Sequence, residues 1–530
     1  MSFCNTNMLK EKIQLYIPKN AKVDYHDNLA IFEVSISQIN EVINDLYNEK
    51  KLLLKLVTAT DERKESGVFK IWYLFGVPGD NFFVCPFVEL KNKIEFPSLA
   101  HIVPEILNYE RRIQTFFGLK AIGIPDNRPI ILHENYPNDV FPLRKDFEWK
   151  TKLKKSTGKY EFQEVKGEGI YEIPVGPIHA GIIEPGHFRF SMAGESIVQL
   201  EPRLGYVHKG SEKLFEVLPL DKKVRLAEKI SGDSSFSHSL AFCQAVEKLA
   251  NLDVPKRALY LRTIFAELER LANHFGDIGA IMMDTGFSFG GSNGSRLREM
   301  IIQINEKLTG SRFLRQVNNV GGVMKDINNN DKEYLSKTLA NISKDFEEVI
   351  DISENSASVF NRLKGAGILT LESATNHGVV GVAGRAAGLA HDTRFDYPYA
   401  AYKEISIGNM PVEKDGDVKA RFQIRIAEIR NAINTIQNAL KKLPEGNINI
   451  ANISLQLKKN ALSVSMVEGW RGEIVYFVTT DLQGNISRVA PRDPSFVNWS
   501  ALGEAGFDNV IPDFPLINKS FNLSYTGNDL

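Results

Sequence analysis

The chain is short of cysteine. Its 530 residues hold three, Cys4, Cys85 and Cys243, all far apart. Without a C-x-x-C pair, no zinc or iron–sulfur framework can be read from its own thiolates. So few thiols in so long a chain also exclude a disulfide scaffold. The three read as reduced, small apolar side chains. An excess of charge is missing too: 64 basic residues face 65 acidic ones, for a formal net charge of −1. Bulk attraction to nucleic acid or anionic lipid is therefore excluded. No run of about 18 uncharged apolar residues occurs, as a membrane span needs. The most apolar stretch, 379–390, is rich in glycine and alanine and carries Arg385. The first residues, M-S-F-C-N-T-N-M-L-K-E-K, lack the apolar core of a signal peptide. The expectation is a cytoplasmic protein that meets the inner (cell) membrane only through partners. No G-x-G-x-x-G opens a helix after a strand. Gly290, Gly291 and Gly294 stand as G-G-S-N-G, which is not a dinucleotide fingerprint, so no NAD or nucleotide site is read.

What is present is ordinary globular material, 43% hydrophobic and 24% charged, enough to bury a large core. The length suggests two to four domains. In residues 1–149, Ile39, Val42, Ile43, Leu46 and Tyr47 recur at helical spacing and predict a helix over 39–54. Residues 70–75 and 81–88 read as strands, and 104–117 as a helix with Pro104 in its first turn. Residues 135–146 hold two prolines, Asn138 and Asp139, and read as a loop. Residues 150–166 are lysine-rich and poor in apolar side chains, so 150–169 is expected to be a solvated linker. From Ile170 the character changes. Residues 171–199 suggest strands and tight turns, and 221–249, 254–283, 293–308, 331–363 and 417–440 suggest helices. Leu261, Ile264, Leu268 and Leu271 form one apolar stripe, and Ile426, Ile429, Ile433 and Ile436 another. Residues 462–478 suggest a last β-rich segment. The expected fold class is α+β: an N-terminal α/β-sandwich-like domain, then a mainly helical domain with β edges over 170–530. There is no internal repeat.

Several motifs survive this pass. Residues 110–118 read E-R-R-I-Q-T-F-F-G, and 141–146 read F-P-L-R-K-D. Alone they would be surface salt bridges, worth little. Together they resemble the small peripheral subunit of respiratory complex I over about residues 30–149. Arg112 and Thr115 depart from that pattern, standing where acidic residues are expected. The second part carries G-P-I-H-A-G at 176–181, E-P-G-H-F at 184–188, L-G-Y-V-H-K-G-S-E-K at 204–213 and A-V-E-K-L at 245–249. It continues with E-R-L-A-N-H at 269–274, D-T-G-F at 284–287, G-R-A-A-G at 384–388 and V-E-G-W-R-G-E at 467–473. This set resembles the quinone-site subunit of complex I and the large subunit of membrane-bound NiFe hydrogenases. The fusion of both parts resembles the hydrogenase-4 and formate hydrogenlyase type of large subunit, in its energy-converting hydrogenase-related branch.

The resemblance sharpens the cysteine shortage. A nickel–iron centre of that family needs thiolates where this chain has Ser231, Ser234, Ser495 and Asn498. A serine hydroxyl is neither polarisable nor ionised near neutral pH, so no metal is expected. A histidine usually follows the last thiolate pair, but residues 392–530 contain none. Gly232 stands where complex I has its quinone-headgroup tyrosine. Ser231, Ser234 and Arg471 then line a vestigial cofactor cavity. Arg471 corresponds to an arginine over the metal, or pairs simply with Glu468 or Glu473. His179 and Asp284 match the complex I histidine and its backing aspartate, and are the expected proton-handling pair. Read locally, they are a turn histidine and a helix-end residue. His187 and His208 are expected to bond backbone. Asp392 and Arg394, in D-T-R-F-D-Y-P-Y, are either a charge-coupling element or a buried ion pair. The implied function is a peripheral oxidoreductase subunit of a complex I-like membrane assembly that couples electron transfer to ion translocation. The implied partners are an iron–sulfur subunit, which would hold the clusters, and integral-membrane subunits. No cofactor is expected to be bound directly, with a quinone the ligand the resemblance allows. The alternative is a catalytically silent scaffold or coupling subunit.

Overall fold

The computed structural model describes residues 12–91, 93–179, 183–451 and 455–530; Cys4 lies outside them. The N-terminal unit is built on a five-stranded sheet: β1 (Val23–His26), β2 (Leu29–Glu33), β3 (Leu53–Glu62), β4 (Val68–Val77) and β5 (Phe82–Lys91). Its order is β1-β2-β5-β4-β3, with β2 and β5 parallel and the other neighbours antiparallel. Helix α1 (Ile39–Asn44) runs on through a turn to Glu49, and α2 spans Leu107–Phe117. The helix expected over 39–54 therefore ends early. Lys51 takes a left-handed φ of 55°, and the unbroken apolar run that follows enters β3.

The second unit is organised around α4 (Lys256–Asp284), a 29-residue helix. It follows α3 (Ser235–Leu249) and contacts α5 (Ser288–Thr309) and α7 (Val418–Lys442), while α6 (Asn329–Glu354) covers α5. The glycines of G-G-S-N-G sit in α5. A Cβ on Gly294 would meet the Cα of Gly279 at 2.4 Å, so these glycines let two helix backbones touch. Two predicted helices are broken. The one over 221–249 divides into Leu220–Ala227 and α3, with Ser231–Ser234 in the turn between. Small polar side chains there bond backbone instead of extending the helix, as when the Ser235 hydroxyl donates to the Gly232 carbonyl at 2.9 Å. The one over 331–363 stops at Glu354 and restarts at Ala357.

Two antiparallel three-stranded sheets complete this unit. Strands β6 (Ile170–Val175), β7 (His187–Ala193) and β8 (Ser196–Arg203) form one, with β7 central. Strands β9 (Leu462–Glu468), β10 (Glu473–Thr480) and β11 (Ile486–Arg492) form the other, followed by α8 (Pro494–Gly506). The alternation of strand side chains explains where the last sheet sits. Leu462, Val464, Met466, Val475 and Phe477 join the core of the N-terminal unit. Val467, Ile474, Tyr476 and Val478 join the core of the helical unit. This sheet is the layer that welds the two together. The lysine-rich segment after residue 149 is irregular but anchored: Tyr160 lies under the Arg203 guanidinium at 4.1 Å and donates to Glu201 at 3.0 Å. Among the described residues, no helix is long and apolar enough to cross a membrane.

Candidate functional site

The positions that lack cysteine come together at the starts of α3 and α8. Ser231, Ser234, Ser495 and Asn498 are all buried. The Ser231 hydroxyl donates to Ser524 Oγ at 2.9 Å, and the Ser524 amide donates to Ser495 Oγ at 2.9 Å. Ser234 holds the turn into α3, its carbonyl accepting from the His238 amide at 3.0 Å. Asn498 clamps the loop before Gly381, accepting from the Val380 amide at 3.0 Å and donating to the Val380 carbonyl at 3.1 Å. The polar atoms of Ser231, Ser495 and Asn498 are thus tied to the protein itself.

Arg471 lies in the hairpin between β9 and β10, over the Trp470 ring at 3.9 Å. It pairs with neither Glu468 nor Glu473. Its guanidinium grips Asp233 through two hydrogen bonds, at 2.6 and 2.7 Å, and reaches Ser231 Oγ at 3.3 Å. Glu468 and Glu473 already serve Arg385, and Lys55 and Arg492, respectively. Burial opposes ionisation of Asp233, but the Arg471 guanidinium outweighs it and holds the carboxyl below its ordinary range. The Arg471 side chain is 4% exposed and that of Asp233 38%, so the pair runs from the interior to the surface.

Behind this pair stands a buried triad. His238 Nε2 meets Asp493 Oδ2 at 2.9 Å, and its Nδ1 meets the Tyr476 hydroxyl at 3.1 Å. Asp493 also caps α8, accepting from the Ser495 amide at 2.7 Å. Burial works against its charge, but the hydrogen bond from His238 keeps it below the usual carboxylate range.

The E-R-L-A-N-H motif is explained side chain by side chain. Glu269 accepts from the Phe236 and Ser237 amides at 2.6 and 3.0 Å, anchoring the start of α3; burial pushes its carboxyl up to about 7. Arg270 donates to the carbonyls of Glu468 and Gly469 at 2.7 and 3.1 Å. Asn273 donates to the Asp233 carbonyl at 2.9 Å. His274 Nε2 bonds Glu428 at 2.7 Å, while its buried Nδ1 has no partner among the described residues. Burial lowers the imidazole below its ordinary value even against Glu428. Glu428 ties this motif to G-R-A-A-G, because Arg385 bonds it too, together with Glu468 at 3.0 Å. Asp392 and Arg394 form a buried ion pair within the same cluster, at 2.7 Å.

His179 and Asp284 are not joined here. His179 Nε2 bonds the Gly186 carbonyl at 2.7 Å, within its own loop. Asp284 is the last residue of α4, and the charge it feels is Lys519. Among the described residues, no ion pair links the two. His187 and His208 bond the backbone carbonyls of Gly176 and Asp529, as expected. Cys85 and Cys243 are free and buried, and burial pushes both thiols up, away from reactivity.

Sequence reading missed Glu428, Asp233, His238 and Asp493. Only Glu428 left a signal. Arg421, Arg425 and Glu428 interrupt the apolar sequence of α7 at helical spacing, which puts three charges on one inward face.

The same segments carry the likeness to known proteins. Residues 32–153 match the family described as the 30 Kd subunit of respiratory-chain NADH dehydrogenase, and residues 284–466 match its 49 Kd subunit. Formate hydrogenlyase subunit 5 of Escherichia coli (strain K12) is 31% identical over 510 residues, 95% of this chain and 89% of that protein. Hydrogenase-4 component G of the same strain is 30% identical over 507 residues, 94% of this chain and 87% of that protein. Among solved structures, a chain of the membrane-bound sulfane sulfur reductase (MBS), an archaeal respiratory membrane complex, aligns with a TM-score of 0.64 at 25% identity. It spans 68% of this chain and 99% of that one. The chain therefore belongs to the family of formate hydrogenlyase subunit 5 and hydrogenase-4 component G, in which the 30 Kd-like and 49 Kd-like parts are fused in one polypeptide.

Proposed function

We propose that this chain is the peripheral, cytoplasmic-face subunit of a membrane-bound, complex I-like assembly that couples electron transfer to ion translocation without a nickel–iron centre. The observation that carries the reading is the donor set at the family's metal positions. Two hydroxyls and an amide there are hydrogen-bonded to protein, no thiolate is present, and Arg471 is neutralised by Asp233. Soft metals need polarisable, ionised sulfur, so these residues do not fit nickel or iron. Partners would supply the rest: an iron–sulfur subunit for electrons and integral-membrane subunits for the ion path. A quinone is the acceptor that fits the complex I likeness, with His179 and Asp284 as its proton-handling residues.

The test is to isolate the assembly from membranes through a tag on this chain. Nickel below one-tenth of stoichiometry, co-purifying membrane subunits and quinone-analogue-sensitive electron transfer are the expected results. Stoichiometric nickel would overturn the reading. A second reading, a catalytically silent scaffold, is favoured by one observation: the hydroxyls and amide of the old metal positions hold the protein together. It predicts that His179→Ala and Asp284→Asn leave the assembly's activity unchanged, whereas the redox reading predicts a loss of at least tenfold.

A further inference from the structure

A cavity of about 550 Å³ lies where the two units meet, away from Ser231 and Ser495. Its walls are largely apolar: Leu52, Leu54 of β3, Ile102, Val379, Val380 and Leu389. Its inner end is ionic. Lys55, Arg385, Asp392, Glu468 and Glu473 line it, and behind them Arg270, Arg394 and Arg492 pair into the same cluster with Glu267, Glu428 and Glu473. Five cations thus face five carboxylates, and the cluster closes on itself.

Glu105 is left over. It lines the cavity just before α2, and among the described residues it makes no ion pair. The two cations facing it, Lys55 and Arg492, are held by Glu473 at 2.7 and 2.6 Å. The Tyr47 hydroxyl lies on the same wall and favours its charged form. Gly378 makes room for the carboxyl, since a Cβ there would meet Glu105 Oε2 at 1.9 Å. Of the other titratable groups on the wall, Lys51 is exposed, and His391 is paired with Asp396 at 3.3 Å.

We propose that this cavity binds an organic ammonium ion, its charge on Glu105 and its hydrocarbon body against Leu52, Leu54, Ile102 and Val379. An ionised carboxylate in an apolar wall is costly unless a cation joins it. An anion would find no free cation beside Glu105, since Lys55 and Arg492 are both held by Glu473. A hard metal ion needs six or more oxygens, and the other carboxylates here are engaged. The volume falls in the range of small-molecule sites. Burial, outweighing Arg492 and Lys55, pushes the empty site's carboxyl up to about 8, so it is protonated at neutral pH. Binding therefore exchanges one cation for another: the ammonium enters, Glu105 ionises, and its proton leaves to solvent.

The inference is independent of the redox reading, and so is its test. The full-length protein is titrated calorimetrically with octylammonium chloride and with 1-octanol at pH 7, in two buffers of different ionisation enthalpy. Octylammonium is expected to bind at one site, at least tenfold tighter than octanol, with release of close to one proton. Glu105→Gln should lose at least tenfold in octylammonium affinity and all proton release, while octanol binding stays. Val379→Trp, which fills the cavity from the opposite wall, should weaken both ligands. Circular dichroism checks that each variant is folded. Equal affinity for the two ligands, failure of both to bind, or unchanged proton release in Glu105→Gln would overturn the proposal.

Discussion

Arg385→Leu tests the buried charge cluster most directly. Arg385 is fully buried and touches three carboxylates, Glu428, Glu468 at 3.0 Å and Asp392 at 3.4 Å, each with a side chain at most 1% exposed. Glu428 and Asp392 have other cations, Arg270 at 3.5 Å and Arg394 at 2.7 Å. Glu468 has no second ion pair among the described residues. The substitution therefore strands one buried carboxylate, a loss of about 3–5 kcal/mol. The loss depends on pH. In the intact protein, burial and the nearby Asp392 push the Glu468 carboxyl up to about 7 despite Arg385. A carboxyl raised in the folded state holds its proton there after the unfolded chain has released it, so stability falls as pH rises through that window. Without Arg385 the folded carboxyl rises further. The loss should be smallest at pH 5, where Glu468 is neutral with or without Arg385, and should grow by about 1.4 kcal/mol per pH unit above 7 until the pH passes the raised value. Urea unfolding followed by tryptophan fluorescence reads it, because Trp470 lies two residues from Glu468 and is fully buried. Adding Glu468→Gln to Arg385→Leu should recover roughly half of the loss at pH 8. The same loss at both pH values, or a loss under about 1 kcal/mol at pH 8, would refute the reasoning.

Three further outcomes follow from named contacts. Gly381→Ala should cost about 3 kcal/mol or more in urea unfolding, because φ there is +71° and the new Cβ would lie 1.9 Å from the Arg471 carbonyl. Asp493→Ala should cost about 3–5 kcal/mol, since it removes both the cap of α8 and the partner of His238. Glu269→Gln should flatten the decline of thermal stability between pH 4.5 and 7, the interval over which the folded carboxyl, raised to about 7, keeps a proton the unfolded chain has lost.

Much of the fold was legible because hydrophobic period is a local property. The stripes on 254–283 and 417–440 became α4 and α7 with small changes at their ends. The breaks at 228–234 and 355–356 were not legible, because isolated Ser, Gly, Asp and Asn residues lower helix propensity without forbidding a helix. The site was legible only where a motif could be matched to a family. Ser231, Ser495 and Asn498 could be named as metal positions in this way, and the structure gathers them at two helix starts. What each side chain touches was not legible. Arg471 has glutamates at 468 and 473 within easy sequence reach, yet its partner is Asp233, 238 residues earlier. Competition decides it: both glutamates are already claimed by buried cations whose own sequence positions are remote.

That competition bears on how a metal site can be dismantled. A buried arginine beside a pocket that holds no thiolate needs a carboxylate. Here the same short turn that holds Ser231 and Ser234 also supplies Asp233, so the counter-charge of Arg471 comes from within those four residues. The rest is closed by hydrogen bonds within the protein, from the Ser231 hydroxyl to Ser524 Oγ and from the Ser524 amide to Ser495 Oγ, which avoids the cost of unpaired buried polar groups. A pocket left merely empty would have cost stability through its cavity and through Arg471 alike. The pocket has instead acquired a complete set of internal contacts, with a single carboxylate, Asp233, reaching outward. Such an arrangement ties the turn before α3, the start of α8 and the β9–β10 hairpin together through the protein's own side chains.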